Sequence, residues 1–238
     1  QVVDALSSHY LEHNANVARA MHTLGAEATA AFEGARAKVA SFIGAASADE
    51  IVFTKNASEA LNLAAHTLAS RLKPGDEVVV SVMEHHSNLV PWQLACQSSG
   101  ATLRWFDVTE EGRLDLAKAE REGLINEATR VVSLAWVSNV LGTVNPIARI
   151  AEWAGSVGAV MVVDGSQGVP LRPSDVQALG IDLLAFTGHK MCGPTGIGVL
   201  WGRRELLEAM PPWQGGGNMI ADVTFEKTVY HGAPTRFE

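Results

Sequence analysis

Lys190 stands in Thr187-Gly188-His189-Lys190-Met191-Cys192-Gly193-Pro194-Thr195-Gly196, a polar, glycine-punctuated stretch between two apolar runs, Ile181–Phe186 and Ile197–Trp201. Both runs read as buried strands, so the lysine is presented from a loop held at its two ends. An amine that is to form an imine must be reachable, fixed in place and partly deprotonated. A half-enclosed loop beside a cation such as a protonated histidine meets those needs. A solvated lysine in a turn fits the same short motif, so the other polar clusters must decide between the two.

Those clusters also follow apolar runs. Asp164 ends the run Ala159–Val163. A carboxylate there is costly to bury unless a cation meets it, and a protonated ring nitrogen is such a partner; capping of the next turn is the plainer role. Lys55-Asn56-Ala57-Ser58-Glu59 opens a helix, where unpaired N–H groups and the helix dipole suit a phosphate, although Asn56 or Ser58 equally reads as an ordinary N-cap. In Met83-Glu84-His85-His86-Ser87-Asn88 an imidazole can stack on a planar group or carry a proton. No zinc site is expected, because adjacent Glu84, His85 and His86 diverge and no Cys/His pair follows at ligand spacing. Asn139, in Ser138-Asn139-Val140-Leu141-Gly142-Thr143, suits a ligand carboxylate or ring oxygen, or simply a turn.

Together these residues supply a lysine for an imine, an aspartate for a pyridinium nitrogen, a helix start for phosphate and a flat imidazole for stacking. That set is what a pyridoxal 5'-phosphate site requires. Two look-alikes fall away. Gly193-Pro194-Thr195-Gly196-Ile197-Gly198 lacks the Gly-Lys-Ser/Thr ending of a nucleotide loop and leads into a strand. Cys192 is expected to pack under the lysine loop and not to act as a nucleophile.

The elements that must position these groups alternate. Val2–His13 reads as a short helix and Thr23–Ile43 as a long one, with Thr23 as N-cap and Gly44 as stop. Strands are expected at Glu50–Thr54, Glu77–Val82, Thr102–Phe106, Arg130–Val137 and Ala159–Val163, besides the two around Lys190. Helices are expected at Ala57–Leu72, Leu89–Ser98, Leu114–Glu122, Ile147–Val157 and Arg203–Met210, with Pro91 suited only to a first turn. The pattern predicts an α/β fold: a mostly parallel sheet with helices on both faces, a three-layer α/β/α arrangement. Such sheets collect ligands at the carboxyl ends of their strands, which is where the clusters fall.

At 238 residues the chain can bury a substantial core, and 47% hydrophobic against 18% charged residues suits a large buried sheet. A net charge of -8 without a Lys/Arg stripe argues against nucleic acid as partner. No apolar run reaches membrane-spanning length, and no membrane partner is expected. Cys96 and Cys192 make no disulfide framework, which points to a reducing compartment and a cytoplasmic location, or a plastid or other organelle in a eukaryote. The chain opens at Gln1 without methionine and stops at Arg236-Phe237-Glu238 without a closing element, so it reads as a fragment.

Met83–Trp92, Val137–Thr143, Val163–Gln167, Gly188–Gly196 and Met210-Pro211-Pro212-Trp213-Gln214-Gly215-Gly216-Gly217 resemble, in order and over essentially the whole chain, the group II cysteine desulfurases (SufS/CsdA-like). These are class V aminotransferase-like, fold-type I pyridoxal-phosphate enzymes. The resemblance implies that Lys190 binds the cofactor covalently and acts as acid/base, and that Asp164 pairs with the pyridine nitrogen. Gln167 would approach the ring's phenolic oxygen, and His85, in preference to His86, would stack and shuttle a proton. Ser58, the backbone at Ala57, Thr187 and His189 would hold the phosphate; Asn139 and Arg19 would lie near the substrate carboxylate. The Trp213–Met219 stretch would be a mobile loop at the active-site mouth, abutting a dimer partner.

The match has departures. The family's Gly-Thr-Thr is here Asn56-Ala57-Ser58, and its His-Arg-Gly is Ala18-Arg19-Ala20. Residues 1–22 would form an N-terminal segment bordering the active site and 23–238 the large cofactor domain. A small C-terminal domain with the persulfide-forming cysteine and a substrate arginine would lie beyond. The implied reaction converts L-cysteine to L-alanine and an enzyme persulfide, supplying sulfur for iron–sulfur assembly. A homodimer and a SufE-like acceptor protein are the implied partners. A selenocysteine lyase acting on L-selenocysteine, another class V enzyme such as a transaminase or epimerase, or a catalytically silent cofactor-binding fragment remain as alternatives; this chain alone is expected to have little activity.

Overall fold

Val78, Val79 and Val80 are all buried but belong to different cores: Val79 to one side, Val78 and Val80 to the other. Side chains alternate across a strand, so an unbroken valine run means a sheet covered on both faces. The computed structural model describes residues 1–18 and 21–238 of the chain.

Helix α1 (Val2–Ser8) continues into a π-helical turn, His9–His13, and α2 (Thr23–Phe42) follows. From there the order is β1 (Ile51–Thr54), α3 (Ala57–Ala69), β2 (Glu77–Ser81), α4 (His86–Ser99), β3 (Thr102–Phe106), α5 (Leu116–Arg121), β4 (Thr129–Ala135), α6 (Ile147–Ser156) and β5 (Val160–Asp164). After α7 (Val176–Leu179) come β6 (Leu183–Thr187), β7 (Gly198–Gly202), α8 (Arg204–Ala209), and a hairpin of β8 (Ile220–Val223) and β9 (Thr228–Tyr230). Seven strands form one sheet in the order β1-β7-β6-β5-β4-β2-β3.

The β2, β3, β4, β5 and β6 pairings are parallel, whereas β7 is antiparallel to both β6 and β1. The reason is local: a parallel neighbour needs a crossover of about a dozen residues or more, and the short Gly188–Ile197 loop can only reverse the chain. Because β7 is reversed, β1 and β6 run the same way, and Thr54 and Thr187 both register with Gly198. The carboxyl ends of β1, β6, β5, β4 and β2 therefore share one edge of the sheet. Trp201, Phe106, Ile150 and Met161 pack on one face; Trp92, Leu61, Leu63 and Leu183 pack on the other.

Some expectations shift. His22, not Thr23, caps α2, its Nδ1 accepting from Gly25 N at 3.2 Å. Helix α4 starts before Leu89 because His85 caps it, so Pro91 falls inside the helix and not in its first turn. Helix α7 and the β8–β9 hairpin have no counterpart in the sequence reading; both are short, and β8 and β9 face solvent, so neither carries a strong apolar period.

Candidate active site

At the β1 end of the shared edge, Asn56 Oδ1 accepts from Glu59 N at 2.8 Å and starts α3. The N–H groups of Ala57 and Ser58, the first two of the helix, are left pointing out of its positive end. Ser58 Oγ lies 2.6 Å from Ser87 Oγ, which itself lies 3.0 Å from His85 Nδ1. His85 Nδ1 accepts from Ser87 N at 3.1 Å, so the proton of the neutral ring belongs on Nε2. The starts of α3 and α4 are thus joined through two serines.

Asp164 is the last residue of β5, 6% exposed, between Ala135 on β4 and Ala185 on β6. Its Oδ1 accepts from Ser166 N at 2.9 Å. Among the described residues its Oδ2 has no hydrogen-bond partner and no Lys or Arg pairs with it. A carboxylate so deep without a cation is costly, unless a group from outside the chain supplies one.

Lys190 ends the 3-10 turn Gly188–Lys190 that follows β6. Gly193 N donates to Gly188 O at 2.9 Å and closes the loop, and a Cβ at Gly193 would stand 2.9 Å from that oxygen, so the closure needs glycine. Thr187 Oγ1 and His189 Nδ1 are 3.0 Å apart. Cys192 is exposed, contrary to the packed position expected for it; its φ of 62° is left-handed and turns the side chain away from the loop's underside.

These walls enclose a cavity of about 220 Å³ lined by Ala57, Ser58, His85, Asp164, Thr187, His189 and Lys190. Asn56, Ser87 and Ser166 complete it. Ser87 and Ser166 were not singled out in the sequence; a serine after a histidine or an aspartate carries no signal until its hydroxyl is placed. Asn139 lies apart, in a neighbouring hollow of about 480 Å³ that shares His85 and includes His86, Val108 and Leu141. Gln167 does not line the cavity, where Ser166 stands instead. Arg19 lies outside the described residues.

Glu84, which in sequence only stands beside two histidines, is buried beneath this edge. Its Oε1 accepts from Ser81 Oγ at 2.5 Å, and its Oε2 from Asn88 Nδ2 at 2.7 Å and Ala135 N at 2.8 Å. Burial, reinforced by the charge of Asp164 and opposed by these hydrogen bonds, pushes its carboxyl up to about 7.

The family described as Aminotransferase class-V matches residues 1–238. The chain belongs to that family. Members of the class V aminotransferase family are pyridoxal-phosphate enzymes, and the cavity fits that cofactor: a buried carboxylate with one oxygen open to a ring nitrogen, an amine, an imidazole and a helix start in one space. Among its relatives, a probable cysteine desulfurase of Streptomyces coelicolor is 56% identical, the match covering all of this chain and 58% of that protein. The cysteine desulfurase of Dickeya dadantii is 51% identical over all of this chain and 58% of its own length. A crystal structure of the cysteine desulfurase CsdA from Escherichia coli superposes with a TM-score of 0.91 at 43% identity, covering 100% of this chain and 59% of that one. An apo cysteine desulfurase from Thermococcus onnurineus gives 0.94 at 41% identity, covering 100% and 58%. This class V chain thus spans less than two thirds of the relatives it matches.

Proposed function

We propose that the whole protein is a cysteine desulfurase, converting L-cysteine to L-alanine while the sulfur passes to a thiol as a persulfide. The observation that carries this reading is the meeting of Asp164, whose Oδ2 has no partner among the described residues, and Lys190 in one cavity. Pyridoxal 5'-phosphate, when bound, supplies an electron sink for the substrate α-carbon. Asp164 Oδ2 takes the ring N–H and balances its charge. Ala57 N, Ser58 N and Oγ, Thr187 Oγ1 and His189 bind the phosphate at the start of α3. Lys190 Nζ holds the cofactor aldehyde and moves the α-proton. His85 would cover one face of the ring and could pass the proton on its Nε2 to the leaving sulfur of the substrate. Asn139 and Arg19 serve the substrate carboxylate, and Gln167, which is not among the residues lining the cavity, would have to turn toward it to serve the ring's phenolic oxygen.

Cys96 is excluded as sulfur acceptor by its environment: on the buried face of α4, its thiol is pushed up to about 11 and stays protonated. The atoms balance with an external thiol RSH, which becomes RSSH as cysteine loses its sulfur and becomes alanine. The same reading makes the protein a homodimer in the cytoplasm with a SufE-like acceptor. Val140 and Leu141, 81% and 53% exposed beside the hollow, are an apolar rim that a second copy would cover. No helix among the described residues is long and apolar enough to cross a membrane.

The test uses the purified protein at its natural length with pyridoxal 5'-phosphate. Borohydride is expected to fix the cofactor on the peptide carrying Lys190, and the untreated protein to yield alanine and sulfide from L-cysteine with a thiol reductant. Fixation on another lysine in Lys190→Ala at wild-type yield overturns the lysine's role; turnover of L-selenocysteine alone overturns the substrate.

A further inference from the structure

Glu84 does not line the 220 Å³ cavity, yet it ties together two of the walls that do. Its three donors come from three elements: Ser81 at the end of β2, Asn88 in the first turn of α4, and Ala135 at the end of β4. Each side of this bridge leads to a cavity residue. On one side, Glu84 and Asn88 bracket His85, whose own ring, among the described residues, bonds only to Ser87 within the same turn. On the other, Ala135 is the register partner of Asp164, and the next residue, Trp136, donates its N–H to Asp164 O at 2.9 Å. Asn88 is held in turn, its Oδ1 accepting from Ser133 Oγ at 2.6 Å and from Trp92 Nε1 at 3.2 Å. Asn88, Trp92 and Ser133 are fully buried, and Glu84 is buried with its edge on the neighbouring hollow.

We propose that Glu84 is a positioning residue for the cofactor ring, setting the separation between His85 on one wall and Asp164 on the other. The inference rests on the pyridoxal-phosphate reading of the cavity. Among the described residues the turn before α4 is otherwise tied to β4 by the Asn88–Ser133 bond and by Asn145, whose Nδ2 reaches both Met83 Sδ and Ala135 O. Without Glu84 the His85 turn keeps only these ties and is less firmly held against the ring face, while Asp164 stays in the sheet. A carboxylate is suited to the task because one oxygen can accept from Asn88 and Ala135 while the other accepts from Ser81. A glutamine keeps the two-bond oxygen and turns its amide to Ser81 Oγ, so Glu84→Gln preserves the bridge and Glu84→Ala removes it.

The test titrates the apo protein, at its natural length, with pyridoxal 5'-phosphate, and records the affinity and the visible circular dichroism of the bound ring. Glu84→Ala is expected to weaken binding roughly tenfold or more and to diminish the dichroic band, while Glu84→Gln stays within about threefold of wild type. In a His85→Ala background the Glu84→Ala loss is expected to shrink to about threefold or less, because the face being positioned is gone. Should Glu84→Ala not fold, Ser81→Ala removes one donor to the same carboxylate and is expected to weaken binding with the same dependence on His85. Wild-type affinity and dichroism in the variants, a loss that is unchanged without His85, or a Glu84→Gln as impaired as Glu84→Ala each overturns the proposal. A wild-type protein that binds no pyridoxal phosphate fails the cofactor reading itself and is told apart from these outcomes.

Discussion

Gly198 stands directly against Asn56: a side-chain carbon at Gly198 would lie 2.5 Å from Asn56 Cα. Gly198 also registers with Thr54 on one side and Thr187 on the other. A single glycine therefore lets the helix start of α3 and the lysine loop after β6 approach one another across β7. Gly198→Ala has no soft neighbour to displace, since the obstacle is backbone. The substitution is expected to cost about 1–3 kcal/mol of stability and to weaken pyridoxal 5'-phosphate binding roughly tenfold. Chemical denaturation and cofactor titration measure the two effects. A variant with wild-type affinity would show that the contact does not set the phosphate end of the cavity.

Ser58 offers a hydroxyl beside the two free N–H groups of α3, and its Oγ is oriented by Ser87. Ser58→Ala is expected to weaken pyridoxal 5'-phosphate by roughly tenfold to a hundredfold, the worth of one hydrogen bond to a charged group. Pyridoxal, which lacks the phosphate, should bind wild type and variant alike. Equal losses for both compounds would place Ser58 away from the phosphate.

Glu84 makes stability depend on pH in a definite direction. Its folded carboxyl is raised from 4.5 to about 7, so the folded state binds the proton more tightly than the unfolded chain. That contribution is fully present below the unfolded value and is lost as pH rises through about 7. Glu84→Gln removes it. The stability of wild type minus that of Glu84→Gln is expected to fall by roughly 3 kcal/mol between acid and mildly alkaline pH. Urea unfolding of the apo proteins across that range gives the difference, and a pH-independent difference would mean that the carboxyl is not raised.

Arg36 is a charge buried inside the α2–β1 contact, 3% exposed. It donates to Ile51 O at 2.7 Å and to both Glu238 oxygens at 2.7 and 2.8 Å, and its guanidinium lies 4.9 Å from the Phe32 ring and 4.8 Å from the Phe53 ring. Arg36→Ala strands Glu238 and opens a gap between two aromatics, an expected loss of about 3–5 kcal/mol. Arg36→Lys should recover only part, because an ammonium cannot make the paired bonds or stack flat. Full recovery in denaturant titrations would show that charge alone matters there.

Residue order alone determined a good deal of this protein. The apolar runs located the seven strands of the main sheet, and Thr102–Phe106 agrees to the residue. It also placed Asp164, His85, Ser58 and Lys190 just past those runs, because burial on both faces forces continuous apolar strands and sends polar groups to their ends. Tertiary structure decided what local pattern does not encode. The reversal at β7, which brings Thr54 and Thr187 to the same glycine, depends on strand order across the sheet. Asn139 went to a neighbouring hollow, Ser166 joined the cavity lining, and Cys192 turned outward on a left-handed backbone. Glu84 is the clearest case: in sequence it is one acidic residue beside two histidines, and only the convergence of β2, α4 and β4 surrounds it with three donors and removes it from water. Periodicity reports which side of an element is buried, whereas hydrogen bonds between elements far apart in the chain exist only once the sheet has closed around them.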